Sequence, residues 1–285
     1  MSTDPRAGGD PGHLSDGSAA GSLLAPKDPD PVVVLNHASA EPFFLVCDHA
    51  GNAVPSALNG LGLDDDTHLG RHIALDIGAL DVARKLAVAF RATLVNQQYS
   101  RLVIDCNRLP TAADSIPEVS DGVVIPANQG LGVENRRARQ EAVLRPYHER
   151  IRALIEARLA SGTETVLVSV HSFTPQMRGR PRPWEIGVMT GPDTRFSSHV
   201  HAVLQERTRW TIGWNEPYEV DMSNDYTVPV HGEGLGIPYV ELELRQDLLV
   251  DEGTRGRLVD DIAACLRAGL DRLGRVAGAA ATRGP

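Results

Sequence analysis

Two histidines in this chain each follow an apolar run that is typical of a buried strand. The run Phe43–Cys47 leads into Asp48 and His49, and the run Val166–Val170, interrupted by one serine, leads directly into His171. Buried parallel strands are short and nearly continuous in apolar residues, and their carboxyl ends face the ligand crevice in open α/β sheets. We therefore expect both histidines over one site. Because histidine is the most common metal ligand, the pair predicts a metal-dependent hydrolase.

A catalytic zinc site usually has three protein ligands and one open position, so a third ligand is needed. Asn52 lies three residues after His49, where a glutamate would complete an HxxE pair, but its amide brings no charge. Asp76 lies in the first turns of a helix predicted over 69–90 and is the stronger candidate. The alternative is that Asp76 only interacts with the helix dipole. The predicted metal ligands are thus His49, Asp76 and His171, with one zinc ion as the cofactor.

The remaining histidines are expected mainly in solvent. They lie in predicted loops and helices or in the N-terminal tail, and His148 is one of them. His231 is different, because it precedes Gly232 in a glycine-rich loop that could cover the site. We keep it as a possible lining residue.

A second cluster combines arginines with an amide at the ends of a predicted strand over 101–105. Arg101 precedes the strand's apolar residues, and Asn107 and Arg108 follow them. An arginine guanidinium can bind a carboxylate through two hydrogen bonds. The three residues therefore predict a site for a small anionic substrate. The alternative is a surface strand in which Asp105 pairs with the arginines.

Two glutamates alternate with apolar residues in the predicted strand 238–244. Alternation places Glu241, Glu243 and Arg245 on one face of that strand. A buried acidic side chain needs a partner or a task, and a glutamate beside a metal can act as a general base. Glu243 is nearer the carboxyl end and is the predicted base, with Glu241 as the alternative. The alternative is that these glutamates have no catalytic role and that one of them pairs with Arg245 to stabilise the sheet.

Composition narrows the class of protein and its organisation. The chain has 285 residues, a net charge of −9, 42% hydrophobic residues and three cysteines without CxxC spacing. These values argue against nucleic acid as the main partner and against a disulfide framework. The sparse cysteines are expected to be reduced, which favours a cytoplasmic protein. No apolar run approaches the ~20 residues of a membrane span, so we expect no membrane contact. Residues 1–30 are predicted to be a disordered tail, 31–275 one catalytic domain and 276–285 a frayed terminus.

Strands alternate with helices along the domain, which predicts an α/β fold with a mixed, mostly parallel sheet covered on both faces. Four motifs then carry a resemblance over roughly residues 31–270. CDHAGNAVP, SRLVIDCNR, VSVHSF and ELRQDL begin at Cys47, Ser100, Val168 and Glu243. In these motifs the chain resembles the N-formylglutamate amidohydrolase family, whose fold is similar to that of zinc carboxypeptidases.

The resemblance implies an eight-stranded mixed sheet between helices and assigns roles to residues already considered. His49 and His171 would bind zinc, Glu243 would act as the base, and Asn107 with Arg108 would hold a substrate carboxylate, assisted by Arg101. The implied reaction is hydrolysis of an N-acylated acidic amino acid, N-formylglutamate giving formate and glutamate. A zinc deacylase or carboxypeptidase-like peptidase with another substrate is one alternative, and a non-catalytic binding protein for acidic ligands is the other. The oligomeric state is not predicted.

Overall fold

The computed structural model describes residues 22–63 and 66–281, without the side chains of residues 66 and 277–281. Five α-helices lie in this part of the chain: α1 Ala79–Phe90, α2 Val133–Arg139, α3 Arg145–Ala160, α4 Ser197–Arg207 and α5 Glu252–Ala281. The strands are β1 Val32–Leu35, β2 Phe43–Cys47, β3 Thr93–Gln97, β4 Val119–Ser120, β5 Val123–Val124, β6 Val166–Phe173, β7 Gln176–Met177, β8 Arg180–Pro181, β9 Ile186–Met189, β10 Ile212–Trp214 and β11 Tyr239–Arg245.

Seven of these strands form one sheet in the order β1-β3-β2-β6-β11-β9-β10. Four neighbouring pairs are parallel, while β1 with β3 and β11 with β9 are antiparallel. The predicted mixed, mostly parallel sheet is therefore confirmed, with seven strands in the described residues where the resemblance implied eight. The short pairs β4–β5 and β7–β8 are separate hairpins.

Apolar side chains cover both faces of the sheet. In β2, Phe43, Leu45 and Cys47 pack toward α1, α4 and α5, whereas Phe44 and Val46 pack toward α3 on the opposite face. Burial of each large apolar side chain stabilises the fold by about 1.5–3 kcal/mol. Because β2, β3, β6 and β11 are mutually parallel, their carboxyl ends meet at one edge, where both predicted strand-end histidines lie.

The segment predicted as a strand over 101–105 forms turns instead. Its backbone forms hydrogen bonds within the turn and with another loop, not with a neighbouring strand. Val103 N–H donates to the Ser100 carbonyl, and Asp105 N–H donates to the Ser115 carbonyl. The apolar residues Leu102 and Val103 are both buried, so they do not present alternate faces. The prediction was wrong because the segment is enclosed by α3 and by loops rather than lying in the sheet.

The helix predicted over 69–90 begins only at Ala79. Gly78 precedes it with a positive φ of 80°, a conformation that glycine adopts without strain. Asp76 therefore lies in the loop before α1 and is not a helix residue. The long helix predicted over 132–160 is observed as α2 and α3 joined by a π-helical segment, Gln140–Leu144, with Pro146 in the first turn of α3.

Residues 22–30 of the predicted tail have defined contacts. The Asp28 carboxylate accepts hydrogen bonds from Ser56, and the Pro29 carbonyl accepts one from the Tyr99 hydroxyl. These bonds attach the segment to the domain. Residues 1–21 of the predicted tail and 282–285 of the predicted frayed terminus lie outside the described residues. No described helix is long and apolar enough to cross a membrane.

Candidate metal centre and active-site cleft

Two strand ends and one loop bring the three predicted ligands together. His49 follows β2, His171 lies within β6, and the loop residue Asp76 is fixed by its N–H, which donates to the His49 carbonyl at 2.9 Å. The Ser172 N–H also donates to Asp76 Oδ2, at 3.2 Å. The backbone therefore sets the position of all three side chains before any ligand is considered.

His49, Asp76 and His171 could hold a metal ion, because one donor atom from each lies within 4.8 Å of the others. His49 Nδ1 is 3.4 Å and His171 Nδ1 is 2.9 Å from the same Asp76 oxygen. His49 Nδ1 is also buried and has no hydrogen-bond partner. An unpartnered nitrogen that faces a carboxylate and a second imidazole fits a metal ligand, so the donor set suits the implied cofactor.

The far nitrogen of each histidine is held by a further carboxylate. His49 Nε2 donates to Asp105 at 2.7 Å, and His171 Nε2 donates to Asp48 at 3.0 Å. A carboxylate only accepts hydrogen bonds when ionised, so each Nε2 carries a proton. His171 Nδ1 also donates to Asp76, at 2.9 Å, and a bound metal ion would replace that proton. The carboxylates fix the orientation of both rings, as is usual for histidines that bind metals.

Asp48 and Asp105 are in turn hydrogen-bonded. The Thr227 hydroxyl donates to Asp48 at 2.6 Å, and Arg101 donates two bonds to Asp105, at 3.0 and 2.6 Å. Arg101 also reaches Asp76 at 3.4 Å. Arg101, which was predicted to bind substrate, is therefore held by the carboxylates of Asp105 and Asp76.

The pKa values reflect this dense group of charges. Burial would raise the pKa of Asp48, but the hydrogen bond and charge of His171 lower it to about 2. Burial acts the same way on Asp105, where Arg101 and His49 hold the pKa well below its usual range. Burial would lower the pKa of His171, but its hydrogen bonds to Asp48 and Asp76 raise it well above its usual range, so this centre favours positive charge.

Glu243 faces this centre from β11. Its side chain is buried, lines the cleft, and has one oxygen without a hydrogen-bond partner. Burial, together with Asp76 and Asp225, raises its pKa to about 8 against the opposing charge of His171. Glu241 is buried two residues deeper and is not among the cleft residues. The placement therefore favours Glu243 over Glu241 as the group that can reach a substrate.

Asn107 lines the cleft, but protein partners occupy its amide. Its oxygen accepts the N–H groups of Tyr226 and Thr227, each at 2.9 Å, and its nitrogen donates to Asp225 at 2.7 Å. Asn107 therefore fixes the loop 225–227 beside the metal centre. Arg108 is freer, since within the described part of the chain its one side-chain partner is the exposed Asp114, at 3.2 Å.

Three other residues considered in the sequence analysis lie outside the cleft. Asn52 donates to the Leu69 carbonyl at 2.9 Å and does not join the donor group. His231 is fully buried against His148, whose Nδ1 accepts its Nε2–H at 3.0 Å, and neither lines the cleft. His148 was expected in solvent, but it is buried and its Nε2 donates to the Cys106 carbonyl at 2.7 Å.

The cleft above the centre has a volume of about 410 Å³. Its floor carries the charged residues just described, and Phe173, Met177 and Tyr218 contribute apolar surface. The sequence patterns did not identify Asp48, Asp105, Asp225 or Tyr218. Asp48 and Asp105 could have been recognised from their positions in the sequence. Asp48 directly precedes His49, and Asp105 lies in the DCNR motif.

Comparison with known proteins places the fold and the family. A structure of a gene product from Agrobacterium tumefaciens is 35% identical, with a TM-score of 0.85, over 88% of this chain and 99% of that one. A structure of N-formylglutamate amidohydrolase from Ralstonia eutropha is 18% identical and shares the fold, with a TM-score of 0.60 over 87% of this chain and 99% of that one. A search of curated proteins gave no match.

The family model for N-formylglutamate amidohydrolase matches residues 41–250. That range includes His49, Asp76, His171 and Glu243 together with their carboxylate partners. The chain belongs to the N-formylglutamate amidohydrolase family.

Proposed function

We propose that this protein is a zinc-dependent amidohydrolase that cleaves N-acylated acidic amino acids, with N-formylglutamate as the expected formylated substrate. The observation that carries the proposal is the buried donor group of His49, Asp76 and His171, with the unpartnered carboxylate of Glu243 beside it. Two imidazoles and one carboxylate are a ligand set that catalytic zinc uses. A bound zinc ion would supply Lewis-acid chemistry, polarising the acyl carbonyl and making water more acidic.

Glu243 acts as the general base. Its carboxylate takes a proton from the attacking water as the new carbon–oxygen bond forms at the acyl carbon. The amide carbon–nitrogen bond then breaks, and Glu243 returns the proton to the departing nitrogen. A raised pKa suits both steps, because the group must accept and release a proton near neutral pH. For N-formylglutamate the products are formate and glutamate.

Arg108 holds the carboxylate of the substrate. Its guanidinium lines the cleft and has an Nη2 group without a partner among the described residues, so it can bind an incoming carboxylate at little cost. Arg101 supports the site differently, since its bonds to Asp105 and Asp76 keep those carboxylates ionised and in place. Asn107 contributes by fixing the loop 225–227.

The test combines metal analysis with product detection. The purified protein is stripped with a chelator, reloaded with zinc and assayed for formate and glutamate from N-formylglutamate. N-formylleucine, which lacks the second carboxylate, serves as the comparison substrate. We expect one zinc ion per chain, activity only after reloading, and a higher kcat/KM for the glutamate compound. A folded protein that holds one zinc ion and releases no amine from any N-acyl amino acid would overturn the proposal.

A further inference from the structure

We propose that the cleft contains a subsite for an apolar acyl chain, formed by Phe173, Met177 and Tyr218. This inference rests on the proposed function and concerns its preferred substrates, which would be N-acylated acidic amino acids whose acyl group is longer than formyl. The three side chains line the same cleft as His171, Glu243 and Arg108, so the subsite and the reacting centre share one space.

The apolar wall begins immediately beside the metal centre. Phe173 lies two residues after His171 at the carboxyl end of β6 and is buried. The guanidinium of Arg182 packs between two rings, 5.6 Å from the centroid of Phe173 and 5.0 Å from that of Tyr218. These contacts attach Tyr218 to the end of the sheet and make the wall a fixed surface.

Met177 extends this wall toward the mouth of the cleft. It ends β7, and the hairpin turns back through Arg178 and Gly179, both with positive φ, at 50° and 74°. That conformation is the one a two-residue hairpin requires, so the turn fixes where β7 and Met177 lie. Met177 is 39% exposed and Tyr218 38% exposed, so both present apolar surface to the cleft. An apolar ligand would cover both.

The same cleft also has polar lining residues. Arg108, Asn224 and Asp225 are among them, and Arg108 is the residue assigned to the substrate carboxylate. A substrate that places its carboxylate on Arg108 and its amide at Glu243 leaves the apolar wall available to its acyl group. A formyl group, a single carbon and its oxygen, would leave that wall exposed to water. A chain of several methylenes would fill it, and the volume of about 410 Å³ lies within the range of about 300–1,000 Å³ for small-molecule sites.

The experiment uses a series of L-glutamates that carry formyl, acetyl, butyryl or hexanoyl groups. Zinc-loaded wild-type protein gives kcat/KM for each compound. Zinc-loaded Glu243→Gln protein gives Kd by calorimetry, because slow turnover leaves the ligand intact. We expect affinity and kcat/KM to rise about threefold for each added methylene, as burial of apolar surface requires. Values that stay level or fall from formyl to hexanoyl would overturn the subsite.

Two methionine variants locate the effect. Met177→Ser should reduce the ratio of hexanoyl to acetyl affinity about fivefold or more, whereas Met222→Ser, an equally exposed methionine that does not line the cleft, should leave the ratio unchanged. Equal effects of the two variants would count against the assigned wall.

The two proposals fail in different ways. Hydrolysis of N-formylglutamate without any gradient in chain length would reject the subsite and leave the proposed function intact. A gradient in Kd without hydrolysis of any compound would reject the proposed function and support the subsite.

Discussion

Glu243 lies directly opposite His171 in the parallel ladder between β6 and β11. Paired residues in adjacent strands direct their side chains to the same face of the sheet, so the ladder sets a carboxylate beside an imidazole of the metal centre. Glu241 pairs with Ser169 instead, about 6–7 Å further from the carboxyl end of the strand. The register of one strand pair therefore distinguishes the two glutamates that alternation alone could not.

We predict that Glu243→Gln lowers kcat by about 10²–10⁴-fold while the protein still binds one metal ion. The amide keeps the shape of the side chain but cannot take a proton from water. Glu241→Gln is the matched control. Burial raises the pKa of Glu241 well above its usual range, so a neutral amide imitates its protonated form, and activity should stay within a few-fold of wild type. Equal losses in the two variants would mean that Glu243 is not the base.

We predict that Asp105→Asn weakens metal binding about 10–100-fold. Asp105 accepts the His49 Nε2 proton at 2.7 Å, and the amide could present its own N–H to that nitrogen and favour the wrong tautomer. Competition with a coloured chelator would measure the change. The matched control is Asp271→Asn on the exposed surface of α5, which should bind metal as the wild type does. An unchanged metal affinity in Asp105→Asn would contradict the assigned role of this carboxylate.

The strand-end pattern was sufficient to predict the fold class and to single out His49 and His171, because buried parallel strands have a recognisable composition. It was not sufficient for Asp105 or for the segment around it. The apolar residues after Arg101 resemble a strand, yet contacts with α3 and distant loops enclose them on all sides. Local alternation carries no information about such long-range packing. The same limit applies to Asp225, which reaches Asn107 from more than a hundred residues away.

We predict that Asn107→Ala destabilises the protein by about 2–4 kcal/mol. The change leaves the N–H groups of Tyr226 and Thr227 without their acceptor, and a buried donor without a partner costs about 1–3 kcal/mol. Urea unfolding would measure the loss. Arg108→Ala should instead raise KM for N-formylglutamate with a small effect on stability, since its partner Asp114 is exposed. A stable Asn107→Ala protein with only a raised KM would restore Asn107 as a direct substrate ligand.

The pair His148–His231 should make stability fall as the pH decreases. His148 Nε2 donates to a carbonyl and its Nδ1 accepts the His231 proton, so the bond requires two neutral rings. Burial lowers the pKa of His231 to about 3, whereas the unfolded chain binds that proton near the ordinary value of about 6.5. The unfolded state therefore holds more protons between these limits, and the free energy of unfolding decreases as the pH falls through them.

His231→Gln can keep the donor to His148 but cannot titrate. Its free energy of unfolding should therefore fall less steeply, by up to about 1.4 kcal/mol per pH unit, in urea titrations between pH 6.5 and 4.5. Parallel pH dependences for the two proteins would show that His231 binds its proton equally in the folded and unfolded states.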